Sequence, residues 1–292
     1  MNDNDVVVGI DGTPASDAAL RWAAAEADRS GRRLCVVLAH RAEPRARERA
    51  AVLVEAAIAA ARAARPGLAV CGRPVPGDGV AVLLRLAADA GLLVVGSHGH
   101  TALSAALHGG TGLRAAMGAP GRVVVVRGRV EAADGPVVVG VDGSHHDNRL
   151  LAEAFEAAAR RGCEVVAIRA LTPQVAPWGV GIPPLGSNPV RLRATLHAEL
   201  SDDVQRWHEK YPTVPAFARM PLGDPASVLL DASAEGQLLV IGGRAHGPAG
   251  ALLSGSVGQR LLHHADCPML LVHNDAPAKA RKPVHNDAPA KA

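Results

Sequence analysis

An internal repeat constrains this chain more than any other feature. Val6-Val7-Val8-Gly9-Ile10-Asp11-Gly12-Thr13 returns 131 residues later as Val137-Val138-Val139-Gly140-Val141-Asp142-Gly143-Ser144. Leu92-Leu93-Val94-Val95-Gly96 returns as Leu238-Leu239-Val240-Ile241-Gly242, and Gly77-Asp78 as Gly223-Asp224, both 146 residues later. The closing runs at 122 to 126 and 268 to 272 also match. The offset grows by 15, so the second copy holds an insertion between Ala170 and Gly223, and the Pro- and Gly-rich stretch 172 to 189 is its candidate. A repeat of this length marks two homologous domains, expected at 1 to 130 and 136 to 275, with 276 to 292 as a disordered tail.

Within each copy the pattern alternates strand and helix. The first copy reads as a strand at 6 to 10, then a helix over 16 to 30 that is rich in Ala and stopped by Gly31. A strand at 34 to 39, an Arg- and Ala-rich helix over 45 to 65, a strand at 68 to 74, a helix over 80 to 90 and a strand at 92 to 96 follow. A glycine-bearing loop, a last helix and a strand at 122 to 126 close the copy. Runs such as VVVGI, LLVVG and VVVV are apolar at every position, the mark of strands covered on both faces in a parallel sheet. With aromatics at only 2%, the core must be built from Ala, Val and Leu, which suits helices on parallel strands. The expected fold class is α/β, with two tandem doubly wound domains.

Thirty-one Lys and Arg against 28 Asp and Glu leave a net charge of +3, too even to hold a polyanion, so nucleic acid is not an expected partner. No stretch reaches the roughly 18 uninterrupted apolar residues of a membrane span. The acidic opening MNDNDVVVGID lacks the basic region and hydrophobic run of a secretion leader. Cys35, Cys71, Cys163 and Cys267 form no CxxC and no close pair in sequence, so all four are expected as reduced core thiols in a cytoplasmic protein. The stretch VHNDAPAKA, at 272 to 280 and again at 284 to 292, reads as duplicated coding sequence without a function of its own.

In open α/β sheets, ligands bind beyond the carboxyl ends of the strands. Three features of each copy converge there. The first is an acid at the tip of strand one, Asp11 before Gly12 or Asp142 before Gly143. The second is the loop after strand four, Gly96-Ser97-His98-Gly99 or Gly242-Gly243-Arg244-Ala245. The third is a small-residue step into the last helix, Gly109-Gly110-Thr111 or Gly255-Ser256-Val257. Glycines let backbone approach a phosphate, and a helix start offers unpaired N–H groups, so an anion site is the natural reading. Ser256-Val257-Gly258-Gln259 also reads as a capping box, which explains Ser256 without a ligand. His98, His100 and His108 crowd one loop, but no H-E-x-x-H or Cys cluster accompanies them, and no metal site is expected. No Walker Gly-Lys-Ser/Thr occurs, and no G-x-S-x-G elbow surrounds Ser97. Trp178, in the insertion, reads equally as a lid over the second site or as an anchor against the neighbouring domain.

The pattern G-x2-G-x9-G-(S/T), following the fourth strand of a domain that begins VVVGIDG, resembles the ATP-binding universal stress proteins, here in tandem over about 5 to 127 and 136 to 273. The resemblance implies five parallel strands per domain in the order 3-2-1-4-5, pairing of the domains through their closing strands, and a homodimer. It implies ATP, with or without Mg2+, held by the glycines and the hydroxyl, with the strand-one Asp beside the nucleoside. The first copy offers Gly96, Gly99 and Gly109 but has Gly110 in the hydroxyl position, with Thr111 one place late. The second offers Gly242, Gly255 and Ser256 but has Ala245 where a glycine belongs. Asp11, Gly12, Asp142, Gly143, Val257 and the strand-two ends Ala39 and Ala170 complete the expected nucleotide contacts. Because Ser256 keeps a hydroxyl that Gly110 lacks, the second copy is expected to bind more tightly.

The implied function is a nucleotide-dependent stress-response regulator without rapid turnover, whose downstream partner the sequence does not name. One rival is an ATP-using enzyme of a related α/β fold, a slow ATPase or nucleotidyltransferase, though the SGGxDS and HxGH phosphate motifs are missing. The other is a scaffold with decayed pockets.

Overall fold

The computed structural model describes residues 4–97, 121–130, 134–172, 189–243 and 256–273 of the 292. The tail, Trp178 and most of the insertion lie outside them. Ten strands form one sheet: β1 (Val6–Gly9), β2 (Leu34–His40), β3 (Val70–Pro76), β4 (Leu92–Gly96), β5 (Arg122–Val126), β6 (Val137–Gly140), β7 (Val165–Ile168), β8 (Ala216–Arg219), β9 (Leu238–Gly242) and β10 (Met269–Val272). Their order is β3-β2-β1-β4-β5-β10-β9-β6-β7-β8. Each half therefore carries the 3-2-1-4-5 order.

The two five-stranded sheets join through their closing strands into one sheet of ten. β5 and β10 pair antiparallel, with Val124 opposite Leu270, and every other named pairing is parallel. The physical reason is edge protection. VVVV and MLLV are buried closing strands whose open hydrogen-bonding edges satisfy each other. Because the halves run in opposite senses, their carboxyl ends lie at opposite edges of the sheet.

Seven helices are seen among the described residues: α1 (Pro14–Arg29), α2 (Pro44–Ala64), α3 (Gly79–Ala87), α4 (Asp147–Arg161), α5 (Pro189–Lys210), α6 (Pro225–Glu235) and α7 (Ser256–His264). The repeated Gly-Asp pair is a turn followed by a cap. Asp78 accepts from the Ala81 N–H and Asp224 from the Ser227 N–H, both at 3.0 Å, so each opens its helix. Alternate strand residues feed two core layers. Val6, Val8 and Val36 pack with α1, α2, α4 and α5 on one face, while Val7, Val37 and Leu93 pack with α3, α6 and α7 on the other. β3 begins two residues later than expected and carries Pro74 and Pro76, which an edge strand tolerates because it need not donate on its outer side.

The cysteines depart from expectation. Cys35 and Cys71 stand opposite each other in the β2–β3 register and form a disulfide, leaving Cys163 and Cys267 free among the four. Burial pushes the Cys267 thiol up to about 12, so it is a packing residue and not a nucleophile. Thiol titration of the denatured, unreduced protein should find two reactive groups, and four after reduction. Four before reduction would mean that the β2–β3 pair is open.

α1 and α4 meet over the seam between the halves. Glu26 of α1 accepts from Arg161 of α4 and from Arg29, both at 2.5 Å, and lies 3.6 Å from Arg160. Arg161 also sits over Trp22, 5.8 Å from the ring centroid, and Arg122 reaches Glu153 at 3.3 Å.

Candidate functional site

The chain leaves β1 at Asp11 and must turn at once into α1. Gly12 makes that turn with φ of +78°, and Gly143 repeats it with +88°, the left-handed region where a Cβ is disfavoured. Asp11 Oδ1 accepts from the Thr13 N–H at 3.1 Å and the Thr13 hydroxyl at 2.6 Å, while Thr13 Oγ1 caps α1 by accepting from the Ser16 N–H. The other oxygen, Asp11 Oδ2, is buried and has no hydrogen-bond partner among the described residues. A buried carboxylate oxygen without a donor is costly, so something from outside the described chain is the expected donor.

The second copy satisfies itself instead. Asp142 Oδ1 accepts from the Ser144 N–H at 2.9 Å, matching the first copy. Asp147, however, turns its carboxylate back onto the loop, accepting from the N–H groups of Gly143 at 2.7 Å and Asp142 at 3.2 Å. The repeat places Ser16 at this position in the first copy, and its hydroxyl donates to the Thr13 carbonyl at 2.9 Å. Burial raises the Asp147 carboxyl to about 6, opposed by the two backbone bonds and assisted by the nearby Asp142. The Arg169 guanidinium lies against Gly143, where a Cβ would collide with it, and also reaches Glu199 at 3.7 Å. Thus Asp147 and Arg169 close over the Gly143 loop, where in the first copy the side chain nearest Gly12 is Leu53.

The remaining expected contacts divide between seen and unseen. Ala39 at the end of β2 and Gly96 at the end of β4 flank Asp11 on one edge, as Ala170 and Gly242 flank Asp142 on the other. Gly96 also has a packing reason to be glycine. A Cβ there would lie 2.6 Å from the Ala15 carbonyl oxygen, so the first turn of α1 crosses β4 only because the side chain is missing. At Gly242 the nearest atom to such a Cβ is a Leu150 methyl at 3.7 Å. Ser256 opens α7 and Val257 follows it, half-buried. Gly99, Gly109, Gly110, Thr111, Ala245 and Gly255 lie outside the described residues, as do His98, His100 and His108. Among the described residues no three His, Cys, Asp or Glu side chains converge as a metal site, and no helix is long and apolar enough to cross a membrane.

Sequence reasoning missed Asp147 and Arg169. The signal was in the repeat, since Asp147 aligns with a serine and Arg169 with Leu38.

A family model described as the Universal stress protein family matches residues 4–127 and 135–273. A universal stress protein of Mycolicibacterium smegmatis is 32% identical over 289 residues, covering 91% of this chain and 96% of that protein. One from Mycobacterium tuberculosis is 30% identical over 294 residues, covering 91% and 95%. Among solved structures, a universal stress protein from Archaeoglobus fulgidus superposes with a TM-score of 0.68 over 94% of this chain and 97% of that chain. At 14% sequence identity, that likeness concerns the fold alone.

Proposed function

This chain belongs to the universal stress protein family, and from that premise we propose that it binds ATP at the carboxyl edge of its first half and signals by occupancy rather than turnover. The buried Asp11 Oδ2, without a partner among the described residues, carries the reading, because a ribose hydroxyl is the kind of donor it lacks there. Gly12, Ala39 and Gly96 flank it, and Gly99, Gly109, Gly110 and Thr111 are the proposed phosphate contacts that follow in the chain. Mg2+ would enter as the companion of the triphosphate.

The second half is proposed as the weaker site. Asp142, Gly143, Ala170 and Gly242 frame it, with Ala245, Gly255, Ser256 and Val257 beyond, but Asp147 already occupies two of its amides. The Ser256 hydroxyl is the counterweight that favours it. A cytoplasmic regulator acting as a homodimer belongs to the same proposal. Because β5 and β10 already consume each other's edges, the dimer would need a different surface.

Calorimetry should find ATP binding that Asp11→Ala weakens about tenfold or more, the worth of a hydrogen bond to a charged group. Single-turnover measurement with labelled ATP should show hydrolysis far below about 1 per second. Sustained turnover at that rate would favour the enzyme reading. Absence of any nucleotide binding would favour a scaffold.

A further inference from the structure

The seam holds a cavity of about 480 Å³ that none of the expected contacts uses. Arg21 and Arg29 of α1, Arg65 at the C-cap of α2, and Arg160 and Arg161 of α4 line it beside Trp22. These residues come from the middle and far ends of the helices, whereas the Asp11 and Asp142 loops lie at the helix starts, and α1 alone is about 24 Å long. Among the described residues, the carboxylates in contact with Arg29, Arg65, Arg160 and Arg161 are Glu26, Asp28 and Glu156. The basic last turns of α1 and α4 suit the negative ends of those helices, which accounts for part of the charge.

Two facts go beyond helix capping. Glu26 is shared among Arg29, Arg160 and Arg161, more cations than one carboxylate neutralises. Arg160 reaches Glu26 and Glu156 through its terminal nitrogens, at 3.6 and 3.3 Å, and its Nε is buried with no hydrogen-bond partner among the described residues. A buried cationic donor in that state calls for an anionic acceptor, and guanidinium forks match phosphate oxygens in pairs. The volume lies within the usual range for small-molecule sites, roughly 300 to 1,000 Å³.

We propose that this cavity binds a compact oligophosphate, a linear anion of two or more phosphates, which bridges α1, α2 and α4 and so ties the two halves together. Burial lowers the Arg161 guanidinium from its ordinary value, Glu26 opposes that shift, and the neighbouring Arg29 and Arg160 charges add to it. An oligophosphate would relieve that repulsion.

The test uses the intact protein and sodium tripolyphosphate, with orthophosphate in parallel, read by calorimetry and by tryptophan fluorescence. Tripolyphosphate should bind at least tenfold more tightly than orthophosphate. Arg65→Gln, at a half-exposed side chain whose loss leaves the core untouched, should weaken it several-fold, and Arg160→Lys, which keeps the charge but removes Nε, should do likewise. Asp11→Ala should leave it unchanged, which separates this site from the nucleotide pocket. No binding at millimolar tripolyphosphate, or binding lost in Asp11→Ala and kept in Arg65→Gln, would overturn the proposal.

Discussion

Glu26→Ala should cost about 3 to 5 kcal/mol of folding stability, the usual penalty for leaving a buried charge without its partner. Glu26 is 4% exposed and the Arg161 side chain is also 4% exposed, so water cannot take over when the carboxylate goes. Its removal strands Arg161 and withdraws the shared partner of Arg29 and Arg160. Urea denaturation, fitted for its midpoint at constant slope, measures the loss. The control is Arg65→Gln, which removes a 3.6 Å pair with Asp28 whose two side chains are both about half exposed, worth about 0 to 1 kcal/mol. A Glu26→Ala loss below about 1 kcal/mol would mean that the sheet, and not this charge cluster, holds the halves together. Adding tripolyphosphate should recover more stability in Glu26→Ala than in the parent, because the variant leaves the arginines with less anion.

The second large effect concerns pH. The Asp147 carboxyl is raised to about 6 in the fold, against about 3.9 unfolded. Between those values the folded state binds the extra proton. The group's contribution to stability is therefore full below about pH 4 and lost as pH rises through 6, an amplitude of about 2 to 3 kcal/mol. The difference in unfolding free energy between the parent and Asp147→Asn should carry that step and be flat above about pH 7. No step, or one of opposite sign, would mean that the two backbone N–H bonds outweigh burial and the neighbouring Asp142. Asp147→Ser, which installs the first copy's residue, should also strengthen nucleotide binding in the second half.

Much of this architecture could be read from the residues. Apolar runs at every position announced a sheet covered on both faces, and the doubled VVVGIDG pattern announced two copies. The closing strands VVVV and MLLV pair as their exposed edges required. The disulfide could not be read, because Cys35 and Cys71 are 36 residues apart and only the β2–β3 register brings them face to face. Glu26 was hidden differently. It aligns with Ala157 in the second copy, and a polar residue in an Ala-rich helix looks solvated until the other half's arginines are placed over it. The site was legible as strand-end acids and glycines, but residue type alone could not show that Gly96 is shaped by the backbone of α1, or that Asp147 turns inward.

The order of the strands has a consequence for synthesis. β10 is the last described strand to leave the ribosome, yet it occupies the middle of the sheet between β5 and β9. Until Met269 to Val272 emerge, a nearly finished chain displays two bare apolar edges, VVVV on one side and LLVIG on the other. Those edges invite pairing with any neighbouring nascent chain. A message truncated just short of this strand would therefore yield two separate sheets with sticky flanks, the second lacking its closing strand, not a slightly shortened protein, and the hazard ends only when four late residues slide into place.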